Sequence, residues 1–368
     1  MKFSSFIVCC IFSGLFFSCA AQQEPVLKST SGLEIPFHPE KYVCVKTKDA
    51  LVVDGDISDE AWQKAPWSNS FVDIEGERKP LPRWDTKVKM LWDDDYLYIA
   101  AELTEPHIWA TLTQHDTIIY HDDDFEVFID PDGDTHNYYE YEINALGTDW
   151  DLILTKPYRD GGQAVNSWEI PGLLKGVKIY GSLNNPDNKD SCWTVELAFP
   201  LKVLREYNAG RKMPKAGDQW RVNFSRVDWS MEVVDNQYRK KTNHQGKTLP
   251  ENNWVWSPQG VIAMHRPETW GYVQFADHQT DAFVDHADEK VKWALRQLYY
   301  RQQAYWTENS RYTSKAASLR LYEVLSDGQK FEPEIQRTPS GFVASFPSID
   351  HDGLWYIQTD GLVKFVKN

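Results

Sequence analysis

The chain has 368 residues, of which 42% are hydrophobic and 14% aromatic, so it is long enough for two domains and too apolar for a disordered protein. Its 54 acidic and 39 basic residues give a formal net charge of −15, and the basic residues form no concentrated patch. This balance repels phosphate backbones and argues against a nucleic-acid partner.

The first 18 residues have the pattern of a signal peptide. An apolar run over 6–17 is too short to span a bilayer well as a mature helix. The sequence Leu-Phe-Phe-Ser-Cys over 15–19 resembles a bacterial lipobox, which implies cleavage before Cys19 and acylation of its thiol. We therefore predict a membrane-anchored lipoprotein of the bacterial cell envelope, at the outer membrane on its periplasmic or surface face. The alternative is ordinary secretion with cleavage after Ala20 or Ala21.

Residues 19–39 are polar and contain several prolines, which predicts a linker between the lipid anchor and the folded body. Two cysteines, Cys44 and Cys192, then remain in the folded part of the chain. An oxidising envelope permits a disulfide between them, and neither has the spacing of a metal-ligand motif.

Residues 40–277 are mainly β in pattern. Runs with period-two alternation occur at 87–92 and 96–103, around the turn Asp-Asp-Asp, and again at 176–182, 193–199 and 219–227. Short strands, frequent turns and almost no long helix predict an antiparallel β-sandwich of jelly-roll or immunoglobulin-like type.

The stretch 120–151 predicts an antiparallel ribbon at the centre of this sandwich. Strand-like runs at 125–130 and 138–145 flank a turn, Pro-Asp-Gly-Asp, over 131–134. One face of the ribbon is apolar, whereas Glu126 and Glu142 lie on the other face. Acids at such positions need partners.

Six motifs in this region carry a family resemblance. In chain order they are VDGDISDEAW, LWDDDYLYIAAEL, DDDFEVFIDPDG, YYEYEINALG, CWTVELAFPL and PETWGYVQF. Together they resemble the family 9 carbohydrate-binding modules and their DOMON-like relatives over about 42–276. The resemblance implies a β-sandwich that binds an oligo- or polysaccharide on its concave sheet, often with structural calcium, in glycan capture or degradation.

The resemblance also implies site residues. A stacking aromatic ring matches Tyr120, the strand acid that contacts sugar hydroxyls matches Glu126, and a contact on the next strand, where the family can have a basic residue, matches Glu142. The second stacking position falls on Met264 or His265.

The residue types agree with a sugar site, because a sugar needs a ring against its C–H face and charged groups at its polar edge. Arg226 can supply such a group, and Trp150 and Trp229 can supply rings. The alternatives are core packing for the tryptophans and a structural ion pair with Arg226 for Glu126 and Glu142.

The turn after the first ribbon strand predicts a metal site. Asp130, Asp132 and Asp134 place hard oxygen ligands at alternate positions, which suits Ca²⁺. The alternative is that these aspartates lie in a solvated turn. The acids at 122–124 have the same two interpretations, a metal site or a solvated turn. We expect no organic cofactor.

Residues 283–368 predict an accessory α+β extension. A long helix begins near 285 with acids in its first turn and ends at Asn309, and a second short helix is predicted at 319–325. Runs at 342–346, 354–358 and 362–366 predict a small antiparallel sheet.

Three classes of function follow, and the first is the one we predict. It is a carbohydrate-binding lipoprotein without catalysis. The second is a glycoside hydrolase or lyase with Glu126 and Glu142 as catalytic candidates, because glycosidases use two carboxylates at a defined separation. The third is a haem-binding DOMON-like module with Met264 or His265 as axial ligand.

Overall fold

The computed structural model describes residues 24–33, 35–49, 51–321 and 328–368. The predicted signal peptide and Cys19 lie outside these residues, as does most of the second helix predicted at 319–325. The described chain forms a β-sandwich followed by a smaller unit built on one long helix.

The described part of the chain has few helices, as the sequence predicted. They are α1 (Glu60–Lys64), α2 (Leu201–Leu204) and α3 (Asp288–Asn309), with several single 3₁₀ turns between strands. Among the described residues, no helix combines the length and the apolar character needed to cross a membrane.

Strands outnumber helices in both units of the described chain. Their bounds are β1 (Lys41–Lys46), β2 (Val72–Asp73), β3 (Thr86–Trp92), β4 (Tyr96–Thr104), β5 (Asp124–Asp130), β6 (Tyr138–Asn144), β7 (Asp149–Leu154), β8 (Ala164–Val165), β9 (Leu174–Tyr180), β10 (Cys192–Pro200), β11 (Gln219–Asp228), β12 (Met231–Val234), β13 (Gln237–Lys240), β14 (Asn252–Val255), β15 (Gly271–Ala276), β16 (Glu334–Arg337), β17 (Phe342–Pro347), β18 (Gly353–Gln358) and β19 (Val363–Lys367).

Thirteen of the described strands form one curled sheet, and eleven of them follow the order β8-β7-β6-β5-β11-β15-β1-β3-β4-β10-β9. The second half of β11 also pairs with β14, which in turn pairs with β2. Most pairs are antiparallel, and the exception is β1, which runs parallel to both β15 and β3. The predicted β-sandwich is confirmed, with a mixed sheet instead of a purely antiparallel one.

The core lies between the two halves of this curled sheet. From β5 and β6 it receives the residues that the alternation predicted to be apolar, namely Phe125, Val127, Ile129, Tyr139, Tyr141 and Ile143. From the opposite half it receives side chains of β3, β4 and β10 such as Met90, Ile99 and Leu197. Because side chains alternate along a strand, Glu126, Glu140 and Glu142 must point away from this core.

The C-terminal unit packs α3 against a four-stranded antiparallel sheet of β16 to β19. The three strands predicted there are present, and β16 adds a fourth. Its core includes Leu295, Leu298, Phe342 and Ile357. Part of the predicted linker joins the same core: Leu27 is fully buried there, and Phe37 stacks on Trp293 at 4.2 Å.

Polar contacts join the two units. Glu289 on α3 accepts hydrogen bonds from Arg221 at 2.9 Å and from the Tyr272 hydroxyl at 2.6 Å. Glu268 of the sandwich accepts from Arg159 at 2.9 Å and from the Tyr300 hydroxyl of α3. Both glutamates therefore serve as anchors for the helix.

Candidate functional site

Acidic side chains gather on the outer face of β5 and β6. Glu126 lies directly opposite Glu142 in the antiparallel register, and Glu142 lies opposite Trp150 on β7. Glu126 and Glu142 are 6% and 1% exposed, and one oxygen from each lies within 4.8 Å of an oxygen of Asp124. Glu140 is the next outward residue on β6 and is also buried.

An apolar surface adjoins these acids on the same face. Phe128 and Tyr138 pack there with Trp270, Leu152 and Leu154. The face is therefore divided into a carboxylate half and an apolar half, which matches a ligand with a polar edge and an apolar face.

A short loop brings Tyr120 over the acids. The Asp122 carboxylate holds this loop by accepting hydrogen bonds from the backbone N–H groups of Thr111 and Leu112. The Tyr120 N–H donates to Glu142 Oε2 at 3.1 Å, and the ring stays 37% exposed. Tyr120 is thus fixed at its backbone and free at its ring.

A pocket of about 700 Å³ opens on this face. Six of the residues suggested by the sequence line it, namely Tyr120, Glu126, Glu142, Trp150, Met264 and His265. The other lining residues are Ile118, Phe128, Glu140, Tyr158, Gly162, Gln163, Ala164, Asn166, Val227, Glu251 and Asn253.

Burial controls the protonation of the pocket residues. It raises the pKa of Glu126 to about 7, and nearby Glu251 adds to the effect. Burial and the other acids hold the pKa of Glu140 and Glu142 well above the usual range. Burial, with Arg159 nearby, lowers the pKa of His265 to about 4, so this imidazole is neutral near neutral pH.

Arg226 does not reach this site. In the register it lies opposite Phe125, so its side chain enters the core face of the sheet and not the pocket face. There its guanidinium bonds Glu105 and the Thr104 carbonyl and lies 5.2 Å from the ring centroid of Trp254. The expected ion pair of Arg226 with Glu126 or Glu142 is absent from the described residues.

Trp229 lies behind the Tyr120 loop and does not line the pocket. Its indole N–H donates to the Tyr120 carbonyl at 2.9 Å, and Lys240 Nζ lies 3.3 Å from its ring centroid. Its contact with the site is thus support of the loop. Trp150 does line the pocket, next to Glu142.

The acid clusters at 122–124 and 130–134 have different surroundings. Asp122, Asp123 and Asp124 are buried, and Asp123 accepts a hydrogen bond from the Trp109 indole, so these residues are not a solvated turn. At the next turn, one oxygen from each of Asp130, Asp132 and Asp134 lies within 4.8 Å of the others. This all-oxygen set fits the chemistry of Ca²⁺.

The predicted haem ligands are engaged within the fold. Met264 Sδ accepts a hydrogen bond from Gln259 at 3.1 Å, and His265 Nδ1 lies 3.0 Å from the Tyr138 hydroxyl. The two side chains are adjacent in the chain, so they do not fit opposite faces of one macrocycle. Cys44 and Cys192 are both free thiols.

Several lining residues were not selected from the sequence. Glu140 has the same alternation as Glu142, so the pattern contained the signal for it. Tyr158, Asn166 and Glu251 come from segments without periodicity, and only the folded chain brings them to the pocket.

A known family matches this chain over most of the sandwich. The model of a family described as "Carbohydrate family 9 binding domain-like" matches residues 53–273. A curated relative, Exoglucanase XynX of Acetivibrio thermocellus, is 30% identical over 100 residues, which is 27% of this chain and only 8% of the exoglucanase.

The chain is also similar to solved structures. A family 9 carbohydrate-binding module from Caldicellulosiruptor kristjanssonii, in complex with cellotriose, is 16% identical, with a TM-score of 0.42 over 67% of this chain and 98% of the module. A crystal structure from Bacteroides uniformis ATCC 8492, described as a candidate carbohydrate-binding protein, is 15% identical, with a TM-score of 0.45 over 65% of this chain and all of that one.

Proposed function

Because this chain belongs to the carbohydrate family 9 binding domain-like family, we propose that it binds an oligo- or polysaccharide in the pocket on the outer face of β5, β6 and β7. The division of that pocket into a carboxylate half and an apolar half is the observation that carries the proposal. Glu126, Glu140 and Glu142 accept hydrogen bonds from sugar hydroxyls, while Tyr120 covers an apolar C–H face. Met264 and His265 line the pocket beside its apolar half.

The test is calorimetry on a ligand found by glycan-array screening. Tyr120→Ala removes a ring from the binding centre, which costs on the order of 2 kcal/mol, or about thirtyfold in affinity. Glu126→Gln keeps the shape and removes the charge, and we expect weaker binding with an intact fold. Tyr180→Ala is the matched control, because Tyr180 is 38% exposed on β9, at the far end of the sheet from β8. If both pocket variants bind like the wild type, the pocket is not the site.

The second candidate is a glycoside hydrolase or lyase that uses Glu126 and Glu142. Two observations favour it: their oxygens approach within 4.8 Å, near the separation of about 5 Å in retaining glycosidases, and the raised pKa of Glu126 suits a general acid. The release of reducing sugar from the bound glycan decides between the two candidates. No release by the wild-type protein leaves binding alone.

We also propose that the protein is anchored to the bacterial envelope by lipid on Cys19, which would place the pocket at a membrane surface. Support comes from the lipobox-like sequence ahead of this cysteine. Cys19→Ala should move the protein from the membrane fraction to the soluble fraction, because acyl chains contribute about 0.8 kcal/mol per buried methylene. Equal membrane retention of both forms would contradict the anchor.

A further inference from the structure

The pocket has an unbalanced charge. Four of its lining residues are acids, namely Glu126, Glu140, Glu142 and Glu251, and none is lysine or arginine. The single basic side chain in the lining is His265, and its lowered pKa leaves it neutral. A neutral sugar does not require this concentration of carboxylates.

Nearby cations are committed to other groups. Arg226 lies behind the sheet with Glu105, Arg159 pairs with Glu268, and Lys240 donates to the His121 carbonyl at 2.6 Å. Within the described residues, no ion pair involves Glu126, Glu140 or Glu142. The fold itself therefore supplies no cation to these acids, which is consistent with their raised pKa values. A bound cation would favour their ionised form.

Two acceptor atoms at this place also lack a hydrogen-bond partner in the described part of the chain. Glu140 Oε2 is one, on a residue that is 6% exposed and lines the pocket. Asp124 Oδ2, beside Glu126 and Glu142, is the other. Buried acceptors are normally satisfied, so these two atoms indicate a missing donor.

We propose that the pocket selects a sugar that carries a protonated amine, that is, an amino sugar of the glucosamine type with a free amino group. The inference rests on the proposed function and specifies its substrate class. An ammonium group offers three hydrogen-bond donors, no acceptor and a positive charge. It would donate to the unpaired carboxylate oxygens and supply the missing positive charge. The apolar half of the pocket takes the C–H face of the same ring.

A bare metal ion fits this place less well than an organic cation. Ca²⁺ takes six to eight oxygen ligands, whereas Glu142 Oε2 already accepts the Tyr120 N–H and Asp124 Oδ1 accepts the Val227 N–H. The pocket of about 700 Å³ with aromatic walls also has room for a sugar ring and not only for an ion.

Calorimetry on the full mature chain with three disaccharides of one shape tests the proposal. They are the β-1,4-linked dimer of glucosamine with free amines, its N,N′-diacetyl form, and cellobiose. Near neutral pH we expect the free-amine dimer to bind about tenfold or more tighter than the other two, because a charge-assisted bond replaces a neutral one. Equal or tighter binding of a neutral dimer overturns the inference and leaves the proposed function standing. If no glycan of any kind binds the pocket, both fail.

Charge-removing variants provide the second arm. Glu140→Gln and Glu142→Gln should each reduce the preference for the free-amine dimer over its acetylated form by several-fold. Glu232→Gln is the matched control, since it removes the same charge from an exposed site on β12. Circular dichroism confirms folding of each variant. An unchanged preference in both folded pocket variants overturns the proposal. A second outcome also overturns it: Ca²⁺ binds the wild type, displaces the free-amine dimer, and no longer binds after Glu142→Gln.

Discussion

Arg226 lies 1% exposed behind the pocket, bonded to Glu105 and near Asp228. Removal of one member of a buried ionic network leaves its partners as unpaired buried charges, which costs about 3–5 kcal/mol. We therefore expect Arg226→Met to lower the free energy of unfolding by about that amount in urea titration.

Arg83→Met is the matched control, because Arg83 pairs with the same Asp228 but is half-exposed. Asp228 keeps Arg226 and Asn252 as partners when Arg83 is removed, so we expect a smaller loss of stability for this control. If Arg226→Met instead retained full stability and lost sugar binding, Arg226 would belong to the pocket after all.

Alternation along a strand made the site residues of β5 and β6 predictable from the sequence. Glu126 and Glu142 share the outward face of the ribbon, as their spacing indicated. The same rule places Arg226 with Trp220, Val222 and Phe224, on the core face of β11. Arg226 was assigned to the sugar site because of its guanidinium group, and its position in the alternation was not considered. The Tyr158 side of the pocket depends on long-range packing, for which the sequence has no local signal.

At the scale of elements, the turn between β5 and β6 is the predicted metal site. Burial raises the pKa of Asp132 to about 7, and the charge of Asp134 adds to it, so these carboxylates repel one another. We propose that a structural Ca²⁺ relieves this repulsion. Because an ion that binds the folded state stabilises it, chelation should lower the melting temperature and added Ca²⁺ should restore it.

Asp132→Asn should abolish this response to Ca²⁺, whereas Asp187→Asn, in the exposed turn between β9 and β10, should not. An identical melting curve with and without metal, on protein shown by elemental analysis to be metal-free, would contradict the site.

Strands and turns of the sandwich were largely predictable, because period-two alternation is a local signal. The β3–β4 pair matches the two runs predicted around the turn Asp-Asp-Asp, and β9 and β10 match the runs predicted at 176–182 and 193–199. The parallel pairing of β1 with β15 joins segments more than 200 residues apart and has no local signal. The burial of Leu27 in the core of the C-terminal unit was missed for the same reason, since it depends on long-range packing.

For the whole molecule, two sets of acids with opposite pKa shifts define its pH dependence. The pKa of Glu126 is raised from 4.5 to about 7, so this residue contributes less stability as the pH rises through that range. Ion pairs and hydrogen bonds outweigh burial at Glu268 and Glu289 and lower the pKa of each to about 2, so their contribution is lost as the pH falls from 4.5 towards 2.

We therefore expect the melting temperature of the ligand-free protein to be highest near about pH 5 and to fall on both sides. A thermal scan from about pH 3 to about pH 8 measures this. Glu126→Gln should flatten the alkaline side only. A melting temperature that rises steadily to the alkaline end would contradict the assignment of the pocket acids.

Two short segments take part in the pocket and in the attachment of α3 at once. Tyr158 lines the pocket and its neighbour Arg159 bonds Glu268, while His265 lines the pocket three residues before that glutamate. The pocket wall and the contacts that hold α3 therefore share these two short stretches of backbone. The coupling free energy between two sites is reciprocal. Any free energy by which the docking of α3 strengthens sugar binding therefore equals the free energy by which bound sugar strengthens the docking of α3.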